Sequence, residues 1–266
     1  MNVGIIGCGK MGTALIQGAV NSGVVEASKL TGVDPFPAAR ENFAKATGGQ
    51  AAEEISALAQ SDLVLLCTKP QQIAETLVEL AQAAPDKPML IISVAAGISV
   101  AALEAAAGPA MRVIRCMPNT PALVGKGAAG FCAGSAASDE DKQTAQNLLG
   151  SVGLALEVSE DLMDAVTGVS GSGPAYVYLM IEALADGGVK QGLAWEDALA
   201  LAAQTVSGAA AMVMETGQHP KELRDMVTSP NGTTLAGLNA LDDRDFSGVV
   251  HSAVEAATAR SKELGQ

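Results

Sequence analysis

Two short stretches of this chain carry residues whose types and spacing could do chemistry. In the first, Gly7, Gly9 and Gly12 stand in G-x-G-x-x-G spacing, directly after the apolar run Val3–Ile6. Met11, Ala14, Leu15, Gly18 and Ala19 follow at helical spacing. Strand, glycine turn and helix, in that order, form the context in which this spacing binds a dinucleotide. Gly7 would allow the tight turn, Gly9 would let the backbone approach a pyrophosphate, and Gly12 would let the helix lie close on the strand. The helix N-terminus then turns its N–H groups and the positive end of its dipole toward the phosphates. Asp34 closes a second strand-like run, Leu30–Val33, where a carboxylate can accept hydrogen bonds from an adenosine ribose.

The second stretch is Thr-Ser-Pro-Asn-Gly-Thr-Thr over 228–234. Pro-Asn-Gly is a turn, and Thr233 or Thr234 can cap the helix that follows. Capping accounts for one threonine. Two threonines and Ser229 around a glycine also bring hydroxyls and free amides to one point, a cradle that suits a carboxylate. Both readings stand on the residues alone. The Ser-Gly-rich segment over 168–173 loosely resembles the turn of a serine nucleophile, but it follows no strand, so the required elbow is missing. It reads either as a flexible approach to a helix, capped by Ser172 or Gly173, or as backbone amides that receive part of an anion.

Composition narrows the chemistry further. The formal charge of −13, from 29 acidic and 16 basic side chains, argues against nucleic acid and against an anionic membrane surface as partners. A dinucleotide is an anion too, so its binding must rest on local devices. Cys8, Cys67, Cys116 and Cys132 show no C-x-x-C and no zinc spacing with the only two histidines, His219 and His251. They read as reduced thiols of a cytoplasmic protein, and no metal site is expected. Folding is expected from residue 3, which leaves no room for a secretory signal. The uncharged run over 198–214 is just long enough to raise the membrane question. Alanine dominates it and Gln204, Thr205, Ser207 and Gly208 interrupt it, so a buried helix of a soluble protein is expected.

These residues need elements to position them. Strand-like and helical runs alternate as far as Val158, the pattern of a doubly wound α/β domain. Helices are expected over 38–46, 53–60 and from Pro70 to before Pro85, with strands over 62–67, 89–94, 111–116, 128–132 and 154–158. Ser138 and Asp141 read as a capping box ahead of a helix that runs through Leu149. Beyond Val158 only helices are expected: from Gly173-Pro174 to Gly192, over 195–215, 220–227 and 235–241, and over Phe246–Leu264. No linker, repeat or low-complexity tract marks the junction. The fold class is therefore α/β, with a dinucleotide-binding domain over 1–159 followed by an all-helical domain over 160–266.

The segment from Asp164 to Tyr176, DAVTGVSGSGPAY, and the segment from Glu182 to Val189, EALADGGV, resemble pyrroline-5-carboxylate reductase. The segment from Leu223 to Thr234, LRDMVTSPNGTT, resembles that family's signature loop, and Gly7 to Gly12, Lys69-Pro70, Ala95-Ala96-Gly97 and RCMPNTP from Arg115 to Pro121 fit as well. The resemblance runs from end to end. It implies an N-terminal Rossmann domain and a helical domain that pairs with a second subunit, in a homo-oligomer of at least a dimer, with a decamer as the larger assembly. The helix over 198–214 would join that interface.

The implied reaction is reduction of Δ1-pyrroline-5-carboxylate to L-proline by NADPH or NADH, the last step of proline biosynthesis. By resemblance, Thr234 would hydrogen-bond the imine nitrogen, with Ser229, Gly232 and Thr233 shaping the carboxylate site and Glu160 an acid near the substrate. Ile6, Gly7, Cys8, Gly9, Lys10, Met11, Gly12 and Asp34 would bind the cofactor, together with Thr68, Lys69, Pro70 and Ala95. Lys69 also reads as a solvated strand-end charge, and Glu160 as the start of a helix. Asp34 stands where many relatives carry a small polar residue, which implies NADH used at least comparably to NADPH unless Arg40 reaches the 2′-phosphate. Two alternatives remain: a relative acting on another cyclic imine or a hydroxy acid, and a catalytically silent cofactor-binding protein. Hydroxy-acid versions place a lysine on the second-domain helix, and 176–186 contains none. The intact loop over 228–234 argues against silence.

Overall fold

β1 (Val3–Ile6) is buried at every position because apolar layers cover both its faces. Val3 and Ile5 belong to the layer that holds Leu15, Ile16 and Phe43, whereas Ile6 belongs to the layer of Val64, Leu66 and Ile91. A strand enclosed in this way reads as a continuous apolar run, as does β4 (Leu63–Leu66). The computed structural model describes residues 1–265. Around β1 it assembles β2 (Leu30–Val33), β3 (Gln50–Ala52), β5 (Met89–Ser93), β6 (Met111–Met117), β7 (Gly127–Ala133) and β8 (Gly153–Glu157). Their order in the sheet is β3-β2-β1-β4-β5-β6-β7-β8. Every neighbouring pair is parallel except β6 with β7.

The connections explain that exception. α1 (Lys10–Asn21), α2 (Pro37–Thr47), α3 (Ile73–Ala83) and α4 (Val100–Ala107) follow β1, β2, β4 and β5 in sequence. The segment over 118–126 that joins β6 to β7 is too short for such a crossover, so β7 runs back. α5 (Asp139–Gly150) then returns the chain to a parallel β8, and it starts at the expected capping box between Ser138 and Asp141. The structure adds β3 and α4, which carry no clear periodicity, and corrects the helix expected over 53–60 to a 3-10 turn, Ile55–Leu58.

By contacts the chain forms two units, Met1–Ser172 with the segment from Glu255 onward, and Gly173–Val254. The first therefore includes α6 (Met163–Val166) and the π turn Thr167–Gly171, which lie past the 159/160 junction expected from sequence. The second unit holds α7 (Gly173–Lys190), α8 (Trp195–Thr216), α9 (Pro220–Met226), α10 (Thr233–Asp242) and the first part of α11 (Phe246–Leu264). Its buried core is small. Ala185, Ala198 and Ala202 form it, with Ile181 packed alongside.

The helix expected to be buried, over 198–214, is not buried in a single chain. Only 11% of the apolar window of α8 is covered, and Leu201 and Met214 are 59% and 73% exposed. Among the described residues α8 is the one helix long and apolar enough to cross a membrane. Tyr178 and Leu179 of α7 are exposed as well. Covering a leucine side chain is worth about 1.5–3 kcal/mol, so a unit that leaves several of them open is stabilised by a partner. Light scattering at micromolar concentration is expected to give at least a dimer. A stable, active monomer would contradict this reading.

Candidate active site

The sheet changes direction at β1, which lies between β2 and β4, and the crevice beyond the C-terminal ends of these strands is where doubly wound sheets bind ligands. Gly7 takes φ +99° there, and a Cβ on it would stand 2.7 Å from the Cys67 carbonyl oxygen. A Cβ on Gly12 would come within 2.5 Å of the Gly7 carbonyl, so the glycine lets α1 pack against the turn. Gly9 is different: nothing lies within 4 Å of its would-be Cβ. It is also the N-cap of α1 and supplies no side-chain cap, which leaves the first-turn N–H groups of Lys10, Met11 and Gly12 for a ligand.

The neighbouring strand ends fit the same use. The Cys67 N–H donates to the Ile6 carbonyl at 2.8 Å and the Val94 N–H to the Leu66 carbonyl at 3.1 Å, which aligns the segments after β1, β4 and β5. Thr68 thus sits against the Gly7 turn, its nitrogen 3.2 Å from the would-be Gly7 Cβ. The Thr68 hydroxyl is buried and has no hydrogen-bond partner among the described residues. Open space over Gly9, uncapped amides on α1 and an orphaned hydroxyl beside them fit a bound dinucleotide. Lys69 is exposed and precedes the 3-10 turn Pro70–Gln72, while Ala95 is buried, with its N–H toward Ser93 Oγ at 3.4 Å.

Asp34 is more constrained than the sequence suggests. Only 8% exposed, it accepts the Cys8 N–H at 2.9 Å through Oδ2 and the Phe36 N–H at 2.9 Å through Oδ1. One carboxylate therefore locks the glycine turn to the turn after β2, and its further lone pairs stay free to accept a ribose hydroxyl. Arg40 is held on that same turn. It donates to the Asp34 and Pro35 carbonyls at 2.7 and 3.0 Å and meets Glu53 at 3.3 Å. The cysteines show no nucleophile: burial, then the Asp34 charge, pushes Cys8 up to about 12, and burial raises Cys67 and Cys116 as well. Burial and then the Glu160 charge push Cys132 up to about 11.

Glu160 occupies the start of a 3-10 turn whose N-cap is Ser159. Its Oε1 accepts the Val100 N–H at 2.6 Å and Arg115 Nη1 at 3.1 Å. The carboxylate thus caps α4 and pairs with an arginine on β6, a structural tie that sequence reasoning missed. Arg115 is 9% exposed and Asn119 8%, both polar residues in or beside an apolar strand, and that mismatch was the available signal. Asn119 donates to the Ser170 carbonyl at 3.0 Å and accepts the Ala128 N–H at 2.9 Å.

That bond bears on the segment over 168–173, expected as a flexible approach or an amide cradle. It is a π turn closed by the Ser172 N–H on the Thr167 carbonyl at 2.8 Å, and Ser170 Oγ donates back to the Val166 carbonyl at 2.9 Å. Helical hydrogen bonding, with Asn119 as a strut, replaces the loop.

In the second unit, the loop after α9 makes a turn in which Gly232 N–H donates to the Ser229 carbonyl at 3.0 Å, with Asn231 at φ 57°. A Cβ on Gly232 would collide with Ser229 Oγ, so glycine lets the serine hydroxyl sit against the turn. Gly232 itself is the N-cap of α10, without a side-chain cap. The expected capping by Thr233 or Thr234 therefore does not occur. They are the first two residues of the helix, and neither side chain makes a hydrogen bond among the described residues. The end of α10 offers uncapped amides and two free hydroxyls, a receptor for an anion with a hydrogen-bond donor or acceptor beside it.

Comparison with known proteins gives concordant results. Residues 160–264 match a family model described as pyrroline-5-carboxylate reductase dimerisation, and residues 2–97 match one described as NADP oxidoreductase, coenzyme F420-dependent. The pyrroline-5-carboxylate reductase of Methanosarcina acetivorans is 43% identical over 99% of this chain and 98% of its own length. That of Arabidopsis thaliana is 44% identical over 99% and 95%. Among solved structures, a pyrroline-5-carboxylate reductase from Coxiella burnetii covers 100% of this chain and 98% of its own, with a TM-score of 0.94 at 34% identity. A pyrroline carboxylate reductase from Plasmodium falciparum, solved with NADP bound, covers 100% and 98%, with a TM-score of 0.87 at 34% identity.

Proposed function

The chain belongs to the pyrroline-5-carboxylate reductase family, and from that premise we propose how its own residues divide the work. It is an NAD(P)H-dependent oxidoreductase that reduces a cyclic imine, Δ1-pyrroline-5-carboxylate, to L-proline in the last step of proline biosynthesis. The nicotinamide cofactor, when bound, supplies the hydride that the imine carbon accepts. Gly7, Gly9 and Gly12, with Ile6, Cys8, Lys10 and Met11, hold its pyrophosphate on the N-terminus of α1, and Asp34 receives the adenosine ribose. Thr68, Lys69, Pro70 and Ala95 line its continuation along the ends of β4 and β5.

The substrate's carboxylate is held by the uncapped N-terminus of α10 with Ser229, Gly232 and Thr233, a local site that overcomes the repulsion of a chain with net charge −13. The Thr234 hydroxyl orients the imine nitrogen, which takes a proton from solvent, so that the carbon of the resulting iminium would accept the hydride and leave the neutral ring amine. No strong acid is needed, because that nitrogen is itself basic and a positioned hydroxyl suffices. Glu160 is the acid near the substrate, its carboxylate held by the Val100 N–H and by Arg115. The observation that carries this assignment is that Gly232, not a threonine, holds the N-cap position of α10, where no side chain caps the first-turn amides. Ser229→Ala should raise the KM for pyrroline-5-carboxylate about ten- to a hundredfold, the worth of a hydrogen bond to a carboxylate, and leave the KM for NADPH unchanged. An unchanged substrate KM would remove Ser229 from the site.

The match to a dimerisation family makes the protein an oligomer. We read the open apolar faces of α7 and α8 as its interface, a decamer as the larger assembly, and the cytoplasm as its compartment.

A further inference from the structure

α11 belongs to the first unit from Glu255 onward, and the way its last turns pack has no counterpart in the residue roles assigned so far. Ala257 and Thr258 are half-buried, and Ser261, on the same helical face, is the one buried residue of the helix. The Ser261 hydroxyl donates to Asp164 Oδ1 on α6 at 2.6 Å. Gly265 lies four residues further along that face. There the backbone meets Gly97, in the turn between β5 and α4 that carries Ala95. A Cβ on Gly97 would stand 3.2 Å from the Leu264 carbonyl oxygen, and a Cβ on Gly265 would stand 3.1 Å from the Gly97 carbonyl oxygen. Two glycines therefore meet where a side chain on either would make the facing backbone give by a few tenths of an ångström, and Gly97 in addition holds φ +77°.

The Ala95-Ala96-Gly97 turn has little to stiffen it from within. Its side chains are methyl groups or nothing, and its tie to β5 is the Ala95 N–H on Ser93 Oγ at 3.4 Å. Beyond it, Glu160 fixes the Val100 N–H. We propose that the last turn of α11 buttresses the turn over 95–97, with Ser261 and Gly265 as positioning residues for the nicotinamide cofactor. This rests on the assignment of Ala95 to the cofactor site made above. A turn fixed in advance is not ordered at the expense of binding, so loosening it shows in cofactor affinity before it shows in turnover.

The test uses Ser261→Ala, Gly265→Val and, as the conservative control, Asp164→Asn, which keeps an acceptor for the Ser261 hydroxyl. NAD+ and NADP+ binding is measured by calorimetry without substrate, alongside steady-state constants and amide hydrogen exchange over 95–100. Ser261→Ala and Gly265→Val should raise the cofactor dissociation constants and KM about three- to tenfold, keep kcat within about twofold, and speed exchange over 95–100. Asp164→Asn should keep parental values. Unchanged exchange and affinity in both disruptive variants would overturn the buttress. Faster exchange with unchanged affinity would instead overturn the placing of Ala95 at the cofactor, and the positioning role with it.

Discussion

Thr234→Ala is expected to lower turnover with pyrroline-5-carboxylate by roughly 10- to 1000-fold, the range for losing one hydrogen bond that orients the reacting group. The fold makes this variant informative. Because Gly232 is the N-cap of α10, the Thr234 side chain contributes no cap, and its removal leaves the helix end as it was. The thermal midpoint should therefore stay near the parental value, and cofactor affinity with it. Thr234→Ser keeps the hydroxyl and should recover most of the rate. If purified Thr234→Ala turned over at the parental rate, the hydroxyl would have no part in the chemistry.

The second large effect concerns cofactor choice. Asp34→Ser should improve NADPH relative to NADH by roughly 1–3 kcal/mol in kcat/KM, a shift of about five- to 150-fold, by relieving repulsion between a carboxylate and the 2′-phosphate. The same substitution removes the acceptor of the Cys8 and Phe36 N–H groups, so both cofactors should bind more weakly by about 1 kcal/mol. Arg40 stays beside the same turn, its guanidinium on the Asp34 and Pro35 carbonyls at 2.7 and 3.0 Å, so Arg40→Ala in the Asp34→Ser background separates any contribution of the arginine to the 2′-phosphate. A parent enzyme that already prefers NADPH by about a hundredfold would mean that Asp34 serves the glycine turn and faces away from the 2′ position.

What could be foreseen from sequence follows the physics of each element. β1, β4 and β5 are enclosed on both faces, so their apolar runs announce them. Gly7 and Gly12 are required by close backbone contacts, which is why their spacing is diagnostic. β3 is three residues long and held by backbone pairing to β2, leaving no side-chain period to detect. The serines and glycines over 168–173 compose like a loop. Their helical course depends on Thr167 and Ser170 hydroxyls bonding back to carbonyls and on Asn119, far away in sequence. The alanine-rich run over 198–214 reads as a buried helix, and only the family resemblance puts it at an interface; in one chain the apolar face of α8 lies open, since composition registers the need for cover and not which chain provides it. The threonine pair over 233–234 reads as cap or cradle from sequence, because which residue takes the N-cap position depends on the turn before it; that residue is Gly232.

The central claim, that this chain reduces a cyclic imine carboxylate, is tested most directly by one assay. Purified protein is mixed with NADH or NADPH and pyrroline-5-carboxylate, with an acyclic keto acid as control, and cofactor oxidation and L-proline are followed together. The account predicts one L-proline formed per cofactor oxidised, and no oxidation with the keto acid. Absence of oxidation with pyrroline-5-carboxylate, or an equal rate with the keto acid, would contradict it.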